Sequence, residues 1–216
     1  MTIRDQLRNL PVFDRPLPDF DTEQVPDDPA SLFVRWLGEA IAAQVIEPHV
    51  MTLSTADAQG KPDARALILK DVDDGGWQFA TSAASAKGAQ LKENLQAAAS
   101  FYWREQGRQV RLRGPVTVTD LATRDADFLA RPDASRIASL VGRQSAVLHD
   151  PATLATAMDA ARQRLAEDPL AIAPDHTVYI LTPDEAEFWQ GDHQRQHVRL
   201  RYRRSPDGWV TERLWP

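Results

Sequence analysis

The sequence comprises 216 residues, 43% of them hydrophobic, with 25 Lys and Arg against 31 Asp and Glu and a formal net charge of -6. That length suits one sizeable core, and the acidic balance excludes a global positive field for nucleic acid or an anionic membrane, so anionic ligands must be met by local basic clusters. Cysteine is absent, which excludes disulfides and thiolate metal sites and leaves redox chemistry to a bound cofactor. No apolar run reaches the roughly 20 residues that span a bilayer, and the N-terminus lacks the apolar stretch of an export signal. A cytoplasmic protein with no membrane or nucleic-acid partner is expected.

Residues 1–28 carry Pro11, Pro16, Pro18 and Pro26 among many aspartates. Prolines at this density prevent a continuous helix and predict an arm, either laid over the body or disordered. The body is expected to span 29–216. Asp28 is placed as an N-cap with Pro29 at the first helical position, and Leu32, Phe33, Trp36, Leu37, Ala40 and Ile41 recur at helical spacing, predicting an amphipathic helix. Strand-like runs follow in HVMTLSTA, ARALILKD, GWQFATS and AAASFYWRE, with turn residues at 57–62 and 73–76 between the first three. A helix is predicted over 85–94, and RQVRLRGPVTVT returns to strand alternation. Helical stretches near 120–130 and 150–166 precede three further strands in TVYILTP, HVRLRYRR and GWVTERLW. The fold class read from this order is α+β, an antiparallel β-barrel with peripheral helices, since closure removes exposed sheet edges.

Three clusters carry candidate chemistry. In the stretch ending HVRLRYRR, strand periodicity places Arg195, His197 and Arg199 on one face and Val198, Leu200 and Tyr202 on the other. Such a cationic face either binds an anion through charge-assisted hydrogen bonds or is simply solvated. In RALILK, a regular strand sends Arg65 and Lys70 to opposite faces, as cations for different ligands or as solubilising charges. Ser85 and Lys87 open a predicted helix, whose free amide groups together with a hydroxyl and an ammonium form an anion site. Trp36, Trp77 and Trp103 read as core aromatics. His49, His149 and His176 have no partner at metal-ligand spacing and receive no catalytic role, and His193 reads as a surface residue. No metal site is expected.

These clusters occur in order with RQV, ARPDAS, RQS, EFWQG and the terminal ERLWP. In that combination, from about Asp28 to Pro216, the chain resembles the pyridoxamine 5'-phosphate oxidases. The resemblance implies an FMN-binding split barrel acting as a homodimer. Its reaction would be the oxidation of a phosphorylated B6 vitamer to pyridoxal 5'-phosphate, with molecular oxygen as acceptor and hydrogen peroxide as product. For FMN it implies Arg65, Lys70, Ala80, Thr81, Ser85, Lys87, Gln109, Gln144, Ser145, Trp189 and Arg199, with Arg65 and Lys87 at the phosphate. For the substrate it implies Lys70, Arg131 and Ser135 at the phosphate, with Arg195 and His197 as the catalytic pair around the reacting ring.

One departure bears on the substrate. Asp127 stands where the family usually has a tyrosine reaching the substrate phosphate. A carboxylate within about 5 Å of that phosphate would repel it by roughly 3 kcal/mol per charge pair at an effective dielectric near 20, so either Asp127 turns away or the substrate differs. Val198 likewise replaces an aspartate, and DHTVY replaces the usual approach to the last strands. The chain also resembles the phenazine-biosynthesis flavin oxidases in EPHVMTLSTAD, GWQFATS and YWRE. A non-catalytic flavin or pyridoxal phosphate carrier is the third alternative left by the fold.

Overall fold

The computed structural model describes residues 1–216. Its elements in chain order are α1 (Ile3–Arg8), α2 (Pro29–Ala42), β1 (Val50–Ala56), β2 (Pro62–Asp73), β3 (Gly76–Ser82), α3 (Ala86–Glu93), β4 (Gln96–Trp103), β5 (Arg108–Val118), α4 (Leu121–Leu129), α5 (Asp133–Val141), α6 (Ala152–Glu167), β6 (His176–Leu181), β7 (Glu185–Gln190), β8 (Val198–Ser205) and β9 (Gly208–Arg213). Hydrogen bonding orders the strands β4-β1-β2-β3-β6-β5-β7-β8-β9, and β4 also pairs with β5, so the first six close on themselves. This is the α+β barrel expected from the alternation of short strands. No helix is long and apolar enough to cross a membrane.

The chain forms two compact units. The first contains 1–49, 100–112 and 184–216; the second contains 50–99 and 113–183. In the first, the α2 N-terminus forms as the sequence predicts: Asp28 accepts from the Ser31 amide and Pro29 opens the helix. Its apolar face buries Leu32, Phe33, Trp36 and Ala40 completely or nearly so. Phe33 meets Phe101 with ring centres 4.8 Å apart, and Trp36 meets Phe188 edge-on at 5.2 Å. Aromatic edge and tilted contacts add to the burial of large apolar area. The Tyr202 hydroxyl donates to the Pro26 carbonyl at 2.8 Å, and burial pushes its pKa up to about 12.

In the second unit, β1, β2, β3 and β6 form successive antiparallel pairs. The turn from β2 to β3 is set by Asp73, whose carboxylate accepts from the Gly75 and Gly76 amides. Gly76 has φ +133, and a Cβ there would collide with the Leu181 carbonyl oxygen, so the turn requires glycine. The β2–β3 register changes from Leu69 opposite Phe79 to Asp71 opposite Gln78. Lys70 is therefore the extra residue of a β-bulge, and it is exposed where Arg65 and Leu67 are half-buried and Leu69 is buried.

Three elements went unread in the sequence. Helix α5 follows Pro132, which obscures the start of a short apolar pattern, and β7 overlaps EFWQG, where a motif hid a strand. The N-terminal prolines do prevent a long helix, but one short turn of helix, α1, precedes them, closed by a capping box between Thr2 and Asp5.

Candidate functional site

The second unit holds a cationic site at the N-terminus of α3. Ser85 is the N-cap: its hydroxyl accepts from the Gly88 amide at 3.2 Å and donates to the Ser82 carbonyl at 2.7 Å. The Ala86 amide donates to Ser145 Oγ at 3.2 Å, and Ser145 adopts φ +74 to present it. Lys87 is only 7% exposed, with Nζ 3.2 Å from Thr81 Oγ1 and 3.5 Å from Ser85 Oγ. Burial lowers its pKa, the neighbouring Arg65 lowers it further, and Asp63 opposes. From β2, Arg65 donates to Thr55 Oγ1 at 2.6 Å and pairs with Asp63. A buried ammonium with only hydroxyl partners, beside a guanidinium and over a helix N-terminus, is a donor set that fits a phosphate.

A second polar network lies in the same unit. Asp127 Oδ1 receives Lys70 Nζ at 3.0 Å and Oδ2 receives His176 Nε2 at 2.8 Å. Burial would raise the Asp127 pKa, but the hydrogen bonds from His176 and Lys70 outweigh it and hold the carboxyl below its ordinary value. Arg131 Nη1 donates to Ser139 Oγ at 2.8 Å and lies 3.4 Å from His176 Nδ1. A cavity of about 490 Å³ is lined by Ala80, Thr81, Arg131, Ser135, Gln144 and His176 among others, whereas Asp127 and Lys70 do not line it. Asp127 thus turns away from the cavity and spends its charge on Lys70 and His176.

The first unit holds the remaining candidates. Gln109 lies half-buried on β5 and Trp189 on β7. Arg195 and His197 precede β8, in the loop after Gly191, and Arg195 has φ +66. Strand alternation therefore does not place Arg195, His197 and Arg199 on one face; only Val198 onward is strand, where Leu200 and Tyr202 do point inward as read. The loop is organised by Asp192, whose carboxylate accepts from the Gln194 and Gln196 amides and whose amide donates to His197 Nδ1 at 3.0 Å. In the neutral ring the proton then sits on Nε2. Trp189 and His197 have ring centres 4.8 Å apart, and Phe13 lies 6.0 Å from each. Arg199 donates to buried Glu187 through Nε and Nη2, both at 2.8 Å, and through Nη1 to the Trp215 carbonyl at 2.9 Å.

Sequence reasoning missed His176, Phe13 and Glu187. His176 alternates with Val178 on a strand buried at both positions, the one signal that it belonged inside. Its partner Asp127 is 49 residues away, beyond any local pattern. Trp36, Trp77 and Trp103 are core residues as read, each at most 2% exposed.

Residues 37–190 match the family described as pyridoxamine 5'-phosphate oxidase. The chain belongs to this family. Residues 176–216 match the pyridoxine 5'-phosphate oxidase C-terminal dimerisation region. The chain is 41% identical over 199 residues to a pyridoxine/pyridoxamine 5'-phosphate oxidase of Burkholderia cenocepacia, covering 91% of this chain and 92% of that one. The enzyme of the same description from Hyphomonas neptunium is 40% identical, with 88% of each covered. Among solved structures, PhzG from Burkholderia lata, in complex with tetrahydrophenazine-1-carboxylic acid, superposes with a TM-score of 0.86 at 31% identity, covering 93% of this chain and 99% of that one. A pyridoxamine 5'-phosphate oxidase-related, FMN-binding protein from Nostoc punctiforme shares the fold, with a TM-score of 0.71 at 18% identity over 88% of this chain and 98% of that one. As a pyridoxamine 5'-phosphate oxidase family member, the chain is an FMN-dependent oxidase.

Proposed function

We propose that this chain, as a cytoplasmic homodimer, oxidises pyridoxine 5'-phosphate or pyridoxamine 5'-phosphate to pyridoxal 5'-phosphate. The observation that carries the reading is the presence of two separate groups of cationic and hydroxyl donors in one unit: Arg65 with Lys87 at the α3 N-terminus, and Arg131 with Ser135 at the cavity. One suits the phosphate of the cofactor and the other that of the substrate.

Arg65, Lys87 and Ser85 hold the FMN phosphate, and Lys70, Ala80, Thr81, Gln109, Gln144, Ser145, Trp189 and Arg199 are assigned to the rest of the cofactor. Bound FMN supplies the two-electron acceptor and the path to oxygen. Arg131 and Ser135 grip the substrate phosphate, while Lys70 offsets the charge of Asp127. Arg195 and His197 are assigned to the substrate ring, His197 with Nε2–H as its outward donor because Asp192 occupies Nδ1. Arg199, held by Glu187, is a fixed rather than a swinging cation. Orientation and electrostatics are the protein's contribution.

Oxygen uptake by the purified yellow protein with each phosphorylated vitamer tests the activity, and the absence of uptake with both refutes it. Light scattering tests the dimer, which a flavin-loaded monomer at micromolar concentration would overturn. A second reading, oxidation of a reduced phenazine carboxylate, is favoured by the likeness to PhzG and by Asp127 in place of tyrosine. Uptake with tetrahydrophenazine-1-carboxylic acid and none with either vitamer would select it.

A further inference from the structure

His176 is 4% exposed, packs edge-on against Phe128 at 5.0 Å, and is used by nothing in the reaction above. Its hydrogen bonds nevertheless fix its chemistry. The ionised Asp127 carboxylate can only accept, so His176 Nε2, 2.8 Å from Oδ2, carries a proton. In the neutral ring Nδ1 is then a lone-pair acceptor, and it faces Arg131 Nη1 at 3.4 Å. An arginine cannot lose its proton in a protein, so it is the obligate donor of that contact.

The same Nη1 donates to Ser139 Oγ at 2.8 Å, and that hydroxyl donates on to the Ser135 carbonyl at 3.0 Å. Arg131 is thus held at one nitrogen from two sides, while its Nε and Nη2 have no protein acceptor. Burial lowers the guanidinium pKa, and Asp127 partly restores it. Lys70 completes the network by binding the other oxygen of Asp127. The order of donation is therefore Arg131 to His176 to Asp127, with Lys70 closing the far end.

We propose that His176 is a positioning residue for the anion grip. Asp127 selects its Nε2–H tautomer, Nδ1 anchors one edge of the Arg131 guanidinium, and the remaining donors of Arg131 are left for an anionic group of the substrate in the cavity that His176 and Arg131 both line. The pair Asp127–His176 then does indirectly what a tyrosine at position 127 would do by contact: it secures the substrate's phosphate. This rests on reading that cavity as the phosphate site.

Two substitutions separate the two nitrogens. In His176→Asn the amide oxygen can take the place of Nδ1 and keep the acceptor for Arg131. In His176→Gln the amide nitrogen can take the place of Nε2, keeping the donor to Asp127 and losing the acceptor. The test uses the FMN-loaded protein, titrated with pyridoxal 5'-phosphate, with inorganic phosphate as competitor and with unphosphorylated pyridoxal as control.

The Gln variant should bind pyridoxal 5'-phosphate and phosphate about tenfold more weakly, the loss expected for one misaligned charge-assisted hydrogen bond. The Asn variant should stay within about threefold of the parent on the same basis. Pyridoxal binding and flavin content should be alike in all three proteins. In turnover of pyridoxine 5'-phosphate the loss should fall on KM rather than kcat.

Equal impairment of both variants, an equal loss for pyridoxal, or unchanged phosphate binding in the Gln variant would each overturn the proposal. So would a parent protein that binds neither phosphate ligand. If the two variants show the Asn–Gln split in binding but the parent oxidises neither phosphorylated vitamer, the proposed function falls and the role of His176 stands. If it oxidises a vitamer without the split, the reverse holds.

Discussion

Replacing Lys87 by methionine should weaken FMN binding without weakening the flavin-free fold. The side chain is 7% exposed, and its ammonium finds only Thr81 Oγ1 at 3.2 Å and Ser85 Oγ at 3.5 Å. In the free protein that charge is a burden: burial first, and then Arg65, lower its pKa. With the cofactor phosphate bound there as proposed, the same group would make a charge-assisted hydrogen bond worth about 2 kcal/mol. Losing it should raise the FMN Kd by about 30-fold. Methionine preserves the stem's packing, so the flavin-free protein should be as stable as the parent or more so.

The pH dependence carries the same sign. Because the folded pKa lies below the ordinary lysine value of 10.5, the unfolded chain binds the Lys87 proton more tightly between the two values. Stability from this group therefore rises with pH through that window and levels off above 10.5. The methionine variant should lack this component. Flavin fluorescence titration reads the affinity, and thermal unfolding of the flavin-free protein from neutral to alkaline pH reads the stability. An unchanged Kd, or a flavin-free variant destabilised by more than about 2 kcal/mol, would refute the assignment of Lys87 to the phosphate.

Three other substitutions have definite outcomes. Gly88→Ala would drive a Cβ into the Ala83 and Ser82 carbonyls, backbone that holds the α3 cap; a loss of about 2–3 kcal/mol in thermal unfolding, together with weaker flavin binding, is expected. Arg108 is 3% exposed, bonded to Glu39 and Gln190 and stacked 4.3 Å from the Trp36 ring centre. Arg108→Ala should cost about 3 kcal/mol by urea denaturation, and Arg108→Lys should recover only part, lacking the planar fork. Asp127→Asn should remove an acid-sensitive contribution. Its lowered pKa stabilises the fold above the ordinary value of 3.8, and that stabilisation is lost as pH falls through the folded value. The difference in urea midpoint between parent and variant should therefore narrow from pH 6 toward pH 3, and a constant gap would contradict it.

The sequence by itself determined the elements whose cause is local. Asp28 and Pro29 start α2 because a carboxylate cap and a missing amide act within one turn. Asp73 and Gly76 make the β2–β3 turn through bonds spanning three residues. Apolar alternation marked the barrel strands, and Ser85 before Lys87 marked the start of α3, since a helix N-terminus announces itself in its first residues. Tertiary structure alone decided where the charges go. The bulge at Lys70 depends on pairing with β3, which no local pattern announces. Arg195 and His197 leave the strand pattern because Asp192 binds the loop amides. Asp127 looked like an uncompensated carboxylate because His176 and Lys70, distant in sequence, reach it only after folding. Hydrogen bonds within a turn can be read from neighbouring residues, whereas a buried charge is neutralised by whichever partners the fold brings to it.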